Sequence, residues 1–290
     1  MPIPQPIIDL YDAFTHGRMN RREFMEKLTV QAGGAAAATG LLASLANNYA
    51  QGAIIAEDDA RLESGPSPFP GPDGEVKAYS TALKAGADHA RSYVIVIHEN
   101  RGLNAHIKDV ARRIALEGFI AIAPDLLSPV GGTPEDEDKA RDLIGKLDRG
   151  KTVAALVSAV AFAKSRKNST GKVGAVGFCW GGGMTNQLAV AAPDLNAAVA
   201  YYGPQPNAED AAKIKAPLLL HYAGKDDFVG KGIKAYEDAL TAAKVPFEAF
   251  VYPDAQHAFN NDTNAARYDK AAADLAWGRT VGFLKAKLTG

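Results

Sequence analysis

The stretch Val173-Gly174-Ala175-Val176-Gly177-Phe178-Cys179-Trp180-Gly181-Gly182 decides the fold. Its first six residues form a short apolar run, which is typical of a strand buried on both faces. Cys179 then stands between Gly177 and Gly181, in the spacing Gly-x-Ser-x-Gly with sulfur in place of the serine oxygen. A nucleophile on a sharp strand-to-helix turn has a strained backbone, and flanking glycines avoid clashes with neighbouring elements. The stretch predicts a strand, a tight turn that carries Cys179, and a helix whose N-terminus favours the thiolate.

Short apolar strands alternate with helical segments on both sides of this turn. From residue 74 to 290 this alternation predicts an α/β domain, a mostly parallel sheet with helices on both faces. Right-handed crossovers then place functional groups beyond the carboxyl ends of the strands. We expect strands at 75–79 (an edge strand), 93–97, 119–123, 173–178, 197–201, 217–221 and 247–252, and helices at 105–117, 135–147, 152–164, 182–191, 232–243 and 264–288.

Reactive side chains follow four of the predicted strands. Glu99, Cys179, Asp226 and His257 each come at or shortly after a strand end. A lone cysteine is more often a buried apolar residue than a nucleophile, but this turn and these partners favour a nucleophile. Asp226 competes with Asp227 for the acid role, and we prefer Asp226 because it directly follows a turn. The order nucleophile, acid, histidine is that of the α/β-hydrolase fold.

Composition excludes several classes of protein. The chain has 290 residues, 47% of them hydrophobic, which is enough for a full core. Its 32 basic and 33 acidic residues give no electrostatic footprint for nucleic acid. A single cysteine excludes an internal disulfide and any zinc site built from several cysteines.

The remaining histidines indicate no metal site. No close pair of further ligands accompanies His98 and Glu99, so we expect neither a metal nor a cofactor. His221 ends a strand and is interpreted as a hydrogen-bonded structural residue. We expect surface positions for three others: His16, His89 and His106.

Residues 1–60 form an N-terminal extension of different character. Apolar residues at helical spacing predict an amphipathic helix over 9–28, and residues 28–56 are uncharged but too weakly apolar for a stable membrane span. Arg21 and Arg22 before this run resemble a twin-arginine export signal. We favour a retained helical arm, packed on the body or on a second subunit, in a cytoplasmic protein; the alternative is a cleaved signal and a periplasmic location. Pro- and Gly-rich residues 61–73 indicate a linker.

The strand-end pattern over about residues 74–288 resembles the dienelactone hydrolase family. Because most α/β-hydrolases use serine, a cysteine turn together with Glu99 is specific for this family. The resemblance implies Cys179 as nucleophile, His257 as general base and then acid, Asp226 as its orienting acid, and Glu99 as the group that engages the resting thiol. The backbone N–H groups of Trp180 and Asn100 are the expected oxyanion donors. The matching segments are Ile97–Leu103, Ala123–Leu126, Gly177–Gly182, Tyr201–Gly203, Leu220–Asp226 and His257–Phe259.

The expected substrate is a small-molecule ester or lactone, and the sequence favours a neutral one at least as much as one that carries a carboxylate. The family pattern has arginines after the Pro-Asp-Leu segment and four residues past the histidine, where this chain has 127–129 and Asn261. An amide or hydroxyl replaces a carboxylate-binding arginine poorly. Substrate-binding candidates are Arg101, Tyr202, Phe259 and Asn261. The function expected is hydrolysis through a thioester acyl-enzyme; the alternative is a non-hydrolytic binding or thiol redox-sensing protein on the same fold.

Overall fold

An N-terminal group of three helices is followed by four short strands, and from residue 91 onward strands and helices alternate along the chain. The computed structural model describes residues 3–49 and 53–289. The strands are β1 (Leu62–Pro66), β2 (Phe69–Gly71), β3 (Gly74–Val76), β4 (Ala78–Leu83), β5 (Arg91–Ile97), β6 (Ile120–Pro124), β7 (Ser169–Phe178), β8 (Ala197–Tyr201), β9 (Leu218–Ala223) and β10 (Phe247–Tyr252). The helices are α1 (Gln5–Thr15), α2 (Arg21–Ala32), α3 (Ala35–Leu45), α4 (Ala105–Leu116), α5 (Glu137–Ile144), α6 (Arg149–Ser165), α7 (Trp180–Ala191), α8 (Asp227–Gly230), α9 (Ile233–Ala242) and α10 (Lys270–Leu288).

Within the described residues, eight strands form the main sheet, in the order β1-β4-β6-β5-β7-β8-β9-β10. The strands from β6 to β10 in this order are parallel, while β1 and β4 pair antiparallel at one side. Successive residues of a strand point to opposite faces. Ile95 accordingly packs in the core beneath α6, α7 and α9, and Val94 packs in the core beneath α4 and α10. The predicted α/β-hydrolase sheet with helices on both faces is confirmed.

The sheet begins earlier than the composition indicates. Residues 61–73 are expected to be a linker, but they contain β1, whose Leu62 pairs with Leu83 of β4, and β2, which pairs with β3. A strand at a sheet edge tolerates proline because one row of its N–H groups needs no partner in the sheet. The predicted edge strand at 75–79 is therefore divided between β3 and β4, and β1 rather than β4 forms the edge.

The predicted helices occur within a few residues of their expected bounds, with two larger differences. The helix expected over 264–288 begins only at Lys270, because the Asp269 side chain accepts a hydrogen bond from the Ala272 N–H and caps it there. The single helix expected over 9–28 is two helices. Gly17 adopts a left-handed φ of 71° after α1, and the Asn20 side chain caps the N-terminus of α2.

The three helices α1 to α3 share an apolar cluster and dock on the body. Phe14 stacks on Phe24 with ring centroids 4.5 Å apart, and both side chains are buried. Asp12 accepts a hydrogen bond from Arg267 at 2.7 Å, and both residues are buried. Asn264 donates to the Leu45 carbonyl at 2.7 Å. We call residues 3–49 the arm. Residues 1–2 and 50–52 of the expected extension, and residue 290 of the expected α/β domain, lie outside the described residues.

The described helices include none that is by itself long and apolar enough to cross a membrane. Only α2 and α3 taken together meet such a length and composition, and their axes are bent by 112°.

Candidate active site

The turn at Cys179 has the strained geometry that its glycine spacing predicts. Cys179 lies at φ 55° and ψ −119°, directly before the first residue of α7. A Cβ on Gly181 would lie 2.5 Å from the Ile97 carbonyl oxygen, and one on Gly177 would lie 2.6 Å from the Gly181 carbonyl carbon. Real side chains do not tolerate such approaches, so these glycines let β5, β7 and α7 meet at the turn.

Three predicted residues from three strand ends converge here. His257 follows β10, and its Nδ1 lies 2.5 Å from Oδ2 of Asp226, which follows β9. The other Asp226 oxygen accepts from the Val229 N–H at 3.1 Å and fixes the carboxylate. The ligand atoms of Cys179, His257 and His16 all lie within 4.8 Å of one another. A sulfur, an imidazole and a carboxylate thus form a chain, as a nucleophile, a base and its orienting acid require.

Electrostatics at the site favour a thiolate. Burial opposes ionisation of the Cys179 thiol, but the imidazoles of His257 and His16 outweigh burial and lower its pKa to about 6. Burial likewise opposes a charge on His257, yet Asp226 and Cys179 raise its pKa well above the usual range. Despite burial, His257 holds the pKa of Asp226 below its ordinary value. These shifts describe a thiolate–imidazolium pair beside an ionised carboxylate.

His16 is the unexpected member of the site. It was expected at the surface, but its Nε2 lies 3.0 Å from His257 Nε2 and 3.4 Å from Cys179 Sγ. It caps the C-terminus of α1, and its Nδ1 contacts the Asp12 carbonyl oxygen at 2.7 Å. The side chain of Asn100 donates to the Thr15 carbonyl at 2.6 Å and ties this end of the arm to the site. Nothing in its sequence neighbourhood except the glycine that ends α1 marks this position.

The other histidines divide as follows. His106 was also expected at the surface but is buried against Asp262, with its Nδ1 3.1 Å from Oδ1, because it lies on the inward face of α4. His89 is exposed, as expected. His221 is buried and contacts Thr280 and Tyr252 at 3.1 and 3.0 Å, as a structural histidine does.

A cavity of about 250 Å³ opens onto Cys179 and His257. The arm, the segment around α5, and the loops after β5, β8 and β9 form its wall. The lining is mixed, with aromatic and aliphatic side chains and one guanidinium. The lining residues are Thr15, His16, Gly17, Asn100, Arg141, Ile144, Gly145, Cys179, Trp180, Pro204, Phe228, Val229 and His257.

Comparison with known proteins gives the family. The sequence profile of the "Dienelactone hydrolase family" matches residues 80–288, and a "YqhI-like" profile matches residues 1–33. The chain belongs to the dienelactone hydrolase family. It is 33% identical over 242 residues to the "Putative carboxymethylenebutenolidase" of Salmonella typhi, covering 79% of this chain and 89% of the relative. It is 37% identical over 209 residues to "Protein usf" of Aquifex pyrophilus, covering 68% and 88%.

A solved structure agrees. The crystal structure of the "Putative Dienelactone Hydrolase" from Klebsiella pneumoniae superposes with a TM-score of 0.70 at 31% identity, over 77% of this chain and 98% of that one. The chain is therefore a dienelactone hydrolase-like hydrolase, and the suspected resemblance is confirmed.

Glu99 does not contact the Cys179 sulfur. Among the described residues, its Oε2 accepts from the Asn261 amide at 2.8 Å and its buried Oε1 has no hydrogen-bond partner. Asn261 is fully buried and also accepts from Thr263, so it does not face the cavity. The expected pairing of Glu99 with the resting thiol is replaced by the contact between Cys179 and His16.

The other three predicted substrate-binding residues also lie outside the cavity wall. Arg101 is buried and bridges Glu137, at 2.9 Å, and the Tyr11 hydroxyl of the arm, at 3.1 Å. Tyr202 and Phe259 are fully buried and pack ring against ring, with centroids 5.3 Å apart. They support His257 from behind, since the Tyr202 ring lies 5.0 Å from the imidazole. The predicted site residues that line the cavity are Cys179, His257 and the two expected oxyanion donors, Asn100 and Trp180.

The positions of the two expected oxyanion donors suit their role. Trp180 is the first residue of α7, where backbone N–H groups have no partner within the helix. The Asn100 N–H follows β5 and, within the described parts of the chain, makes no hydrogen bond. Both therefore remain available to an oxygen bound beside Cys179.

Proposed function

We propose that this chain hydrolyses a lactone or carboxylic ester through Cys179 and a thioester acyl-enzyme. The observation that carries the proposal is the contact of Asp226 with His257, whose imidazole lies within 4.8 Å of the buried sulfur, together with the thiol pKa lowered to about 6. A thiolate is the nucleophilic form of cysteine, and a pKa below 7 makes it the main form at neutral pH. Membership of the dienelactone hydrolase family supports the same reaction class.

The proposed reaction has two halves. The Cys179 thiolate attacks the carbonyl carbon, and the resulting oxyanion accepts hydrogen bonds from the Trp180 and Asn100 N–H groups. The C–O bond to the leaving oxygen then breaks, and the His257 imidazolium donates its Nε2 proton to that alkoxide. A water molecule next attacks the thioester while His257 accepts its proton, and the carboxylic product leaves as the thiolate reforms.

Asp226 is the proposed orienting group rather than a proton acceptor. Its oxygen lies 2.5 Å from His257 Nδ1, which keeps the proton on that nitrogen and the reactive lone pair on Nε2. The carboxylate also stabilises the imidazolium formed during attack. Glu99 has no part in these steps, because its bonded oxygen is occupied by Asn261.

The cavity favours a neutral substrate. Ile144, Trp180 and Phe228 give it an apolar wall. Arg141, whose guanidinium lines the cavity, lies 3.1 Å from the Asp138 carboxylate, which also pairs with Arg21. A carboxylated substrate would compete with Asp138 for Arg141, whereas a neutral lactone or ester requires no charge partner from the lining.

The test is turnover of neutral nitrophenyl acyl esters and of lactones with and without a carboxylate. We expect Cys179→Ala to abolish ester turnover, Cys179→Ser to retain weak activity, and neutral lactones to react faster than carboxylated ones. Full activity of the alanine variant would contradict the nucleophile. Absence of turnover of any ester or lactone by the wild type would instead favour the binding or redox-sensing alternative.

We further propose that the arm is retained and that the protein is cytoplasmic. The buried ion pair between Asp12 and Arg267 supports retention of the arm, because removing the arm would leave a buried cation without its partner. The mass of the protein isolated from its native host tests the proposal, since loss of the arm would contradict it. Light scattering tests the separate proposal that the arm joins two copies into a homo-oligomer.

A further inference from the structure

The contact between His16 and the Cys179–His257 pair brings two imidazole Nε2 atoms and a sulfur together around a single shared proton. Nδ1 of His257 faces a carboxylate oxygen of Asp226, and Nδ1 of His16 faces the backbone carbonyl of Asp12. Both partners only accept hydrogen bonds, so each Nδ1 carries a proton. In a neutral imidazole the lone pair then lies on Nε2, and the two Nε2 atoms are 3.0 Å apart.

The sulfur adds a third donor of electron pairs. Cys179 Sγ lies 3.4 Å from His16 Nε2, and all three ligand atoms lie within 4.8 Å of one another. The thiol can contribute one proton, which satisfies one of these contacts. A single divalent cation bound to all three atoms satisfies every contact at once.

Two of the three separations between ligand atoms are close to those of a tetrahedral metal site. Zinc bonds of about 2.0–2.1 Å to histidine nitrogen and about 2.3 Å to sulfur give tetrahedral edges of about 3.3 Å between two nitrogens and about 3.6 Å between nitrogen and sulfur. The observed separations are 3.0 Å between the two histidine nitrogens and 3.4 Å between Cys179 Sγ and His16 Nε2, and the third, between Cys179 Sγ and the His257 nitrogen, is within 4.8 Å. Two imidazoles and one thiolate are ligands that zinc prefers, and the cavity leaves a fourth position for water.

The surroundings of the ligands are those of a metal site. Histidine ligands usually donate the other ring N–H to a carboxylate or a backbone carbonyl, which fixes the ring and its tautomer. His257 has the carboxylate of Asp226 and His16 has the carbonyl of Asp12. Asp12 is held in turn by the buried Arg267, so the arm presents His16 from a fixed position.

We propose that His16, Cys179 and His257 bind one Zn²⁺ ion, with the arm supplying the third ligand. Binding occupies the sulfur lone pair that would attack an ester and the His257 lone pair that would accept a proton. Zinc therefore holds the site inactive, and its removal frees the pair. The binding does not depend on the proposed hydrolysis; only the inactivation does.

Binding is tested on the full-length metal-free protein by titration with Zn²⁺ and with Co²⁺. We expect one ion per chain, a sulfur-to-cobalt charge-transfer band in the near ultraviolet, and visible bands of tetrahedral intensity. Loss of an outer partner of a metal ligand already costs about 10–100-fold in affinity, so His16→Ala should weaken Zn²⁺ binding by at least about 100-fold. His89→Ala removes an exposed histidine and should leave the affinity unchanged.

Two further results decide the proposal. Cys179→Ser, which differs by one atom, should fold as the wild type does in circular dichroism and should lose the charge-transfer band. A wild type that takes up no Zn²⁺, or a His16→Ala protein that binds it as tightly as the wild type, would overturn the site and leave a proton as the only cation between the rings. Ester turnover by the metal-free protein is measured separately, so a failure of the hydrolase proposal is distinguishable from a failure of metal binding.

Discussion

Alkylation of Cys179 in the metal-free protein should show a midpoint near pH 6. The two imidazoles lower the pKa of this thiol to about 6 in spite of its burial. At pH 7 such a thiol is about 90% thiolate, whereas an unperturbed thiol of pKa about 8.5 is about 3% thiolate, roughly a 30-fold difference. The thiolate is present above the midpoint and is lost as the pH falls through it.

The midpoint is the quantity to measure, not the rate at a single pH. Intrinsic nucleophilicity falls with pKa with a slope of about 0.4–0.5, so a thiolate 2.5 pKa units weaker as a base reacts about 10-fold more slowly. That loss cancels much of the gain in thiolate fraction at pH 7. Iodoacetamide rates from pH 4 to 10, read by mass spectrometry, separate the two effects, because Cys179 is the chain's one cysteine.

The His16→Ala variant tests the origin of the low midpoint. Because His16 is one of the groups that lower the pKa of the thiol, its removal should move the midpoint upward, and His89→Ala should not. A wild-type midpoint near pH 8.5 would refute the electrostatic reasoning. So would a midpoint in His16→Ala that does not differ from that of the wild type.

Three other predictions follow from named contacts. Asp226→Asn should lower ester kcat by about 10⁴-fold with little change in KM, because the amide favours the wrong tautomer of His257; unchanged kcat would argue against the triad. Gly181→Ala places a Cβ 2.5 Å from a carbonyl oxygen of β5, so we expect a loss of about 1–3 kcal/mol in the free energy of unfolding, read by urea denaturation. Asp12→Ala leaves buried Arg267 unpaired, so we expect the free energy of unfolding, read by urea denaturation, to fall by about 3–5 kcal/mol. A loss below about 1 kcal/mol would show that the arm is not docked in solution.

The sheet and the strand-end residues could be predicted because both depend on short sequence patterns. The apolar run of β7, the glycines around Cys179 and the turn before Asp226 each depend on neighbours in the chain. Parallel strands place their carboxyl ends at one edge of the sheet. The convergence of Cys179, Asp226 and His257 can therefore be predicted without knowing any long-range contact.

The rest depends on tertiary contacts that no local pattern carries. His16 reaches His257 across 241 residues of sequence, and its position depends on the docking of α1 against Arg267 and Asn100. β1 has the composition of a linker, and its pairing with β4, which no local pattern indicates, makes it a strand. The partner of Glu99 could not be predicted either, because its contact with Asn261 joins two loops that are 162 residues apart in the sequence.

The placement of His16 bears on how such chains are prepared in the laboratory. A clone trimmed to residues 80–288, the part that the family profile matches, would keep Cys179, Asp226 and His257 and lose part of the wall that faces them. Its active-site cavity would open toward solvent on the side that the arm covers. Substrate preferences measured on this fragment would therefore not be those of the full-length protein.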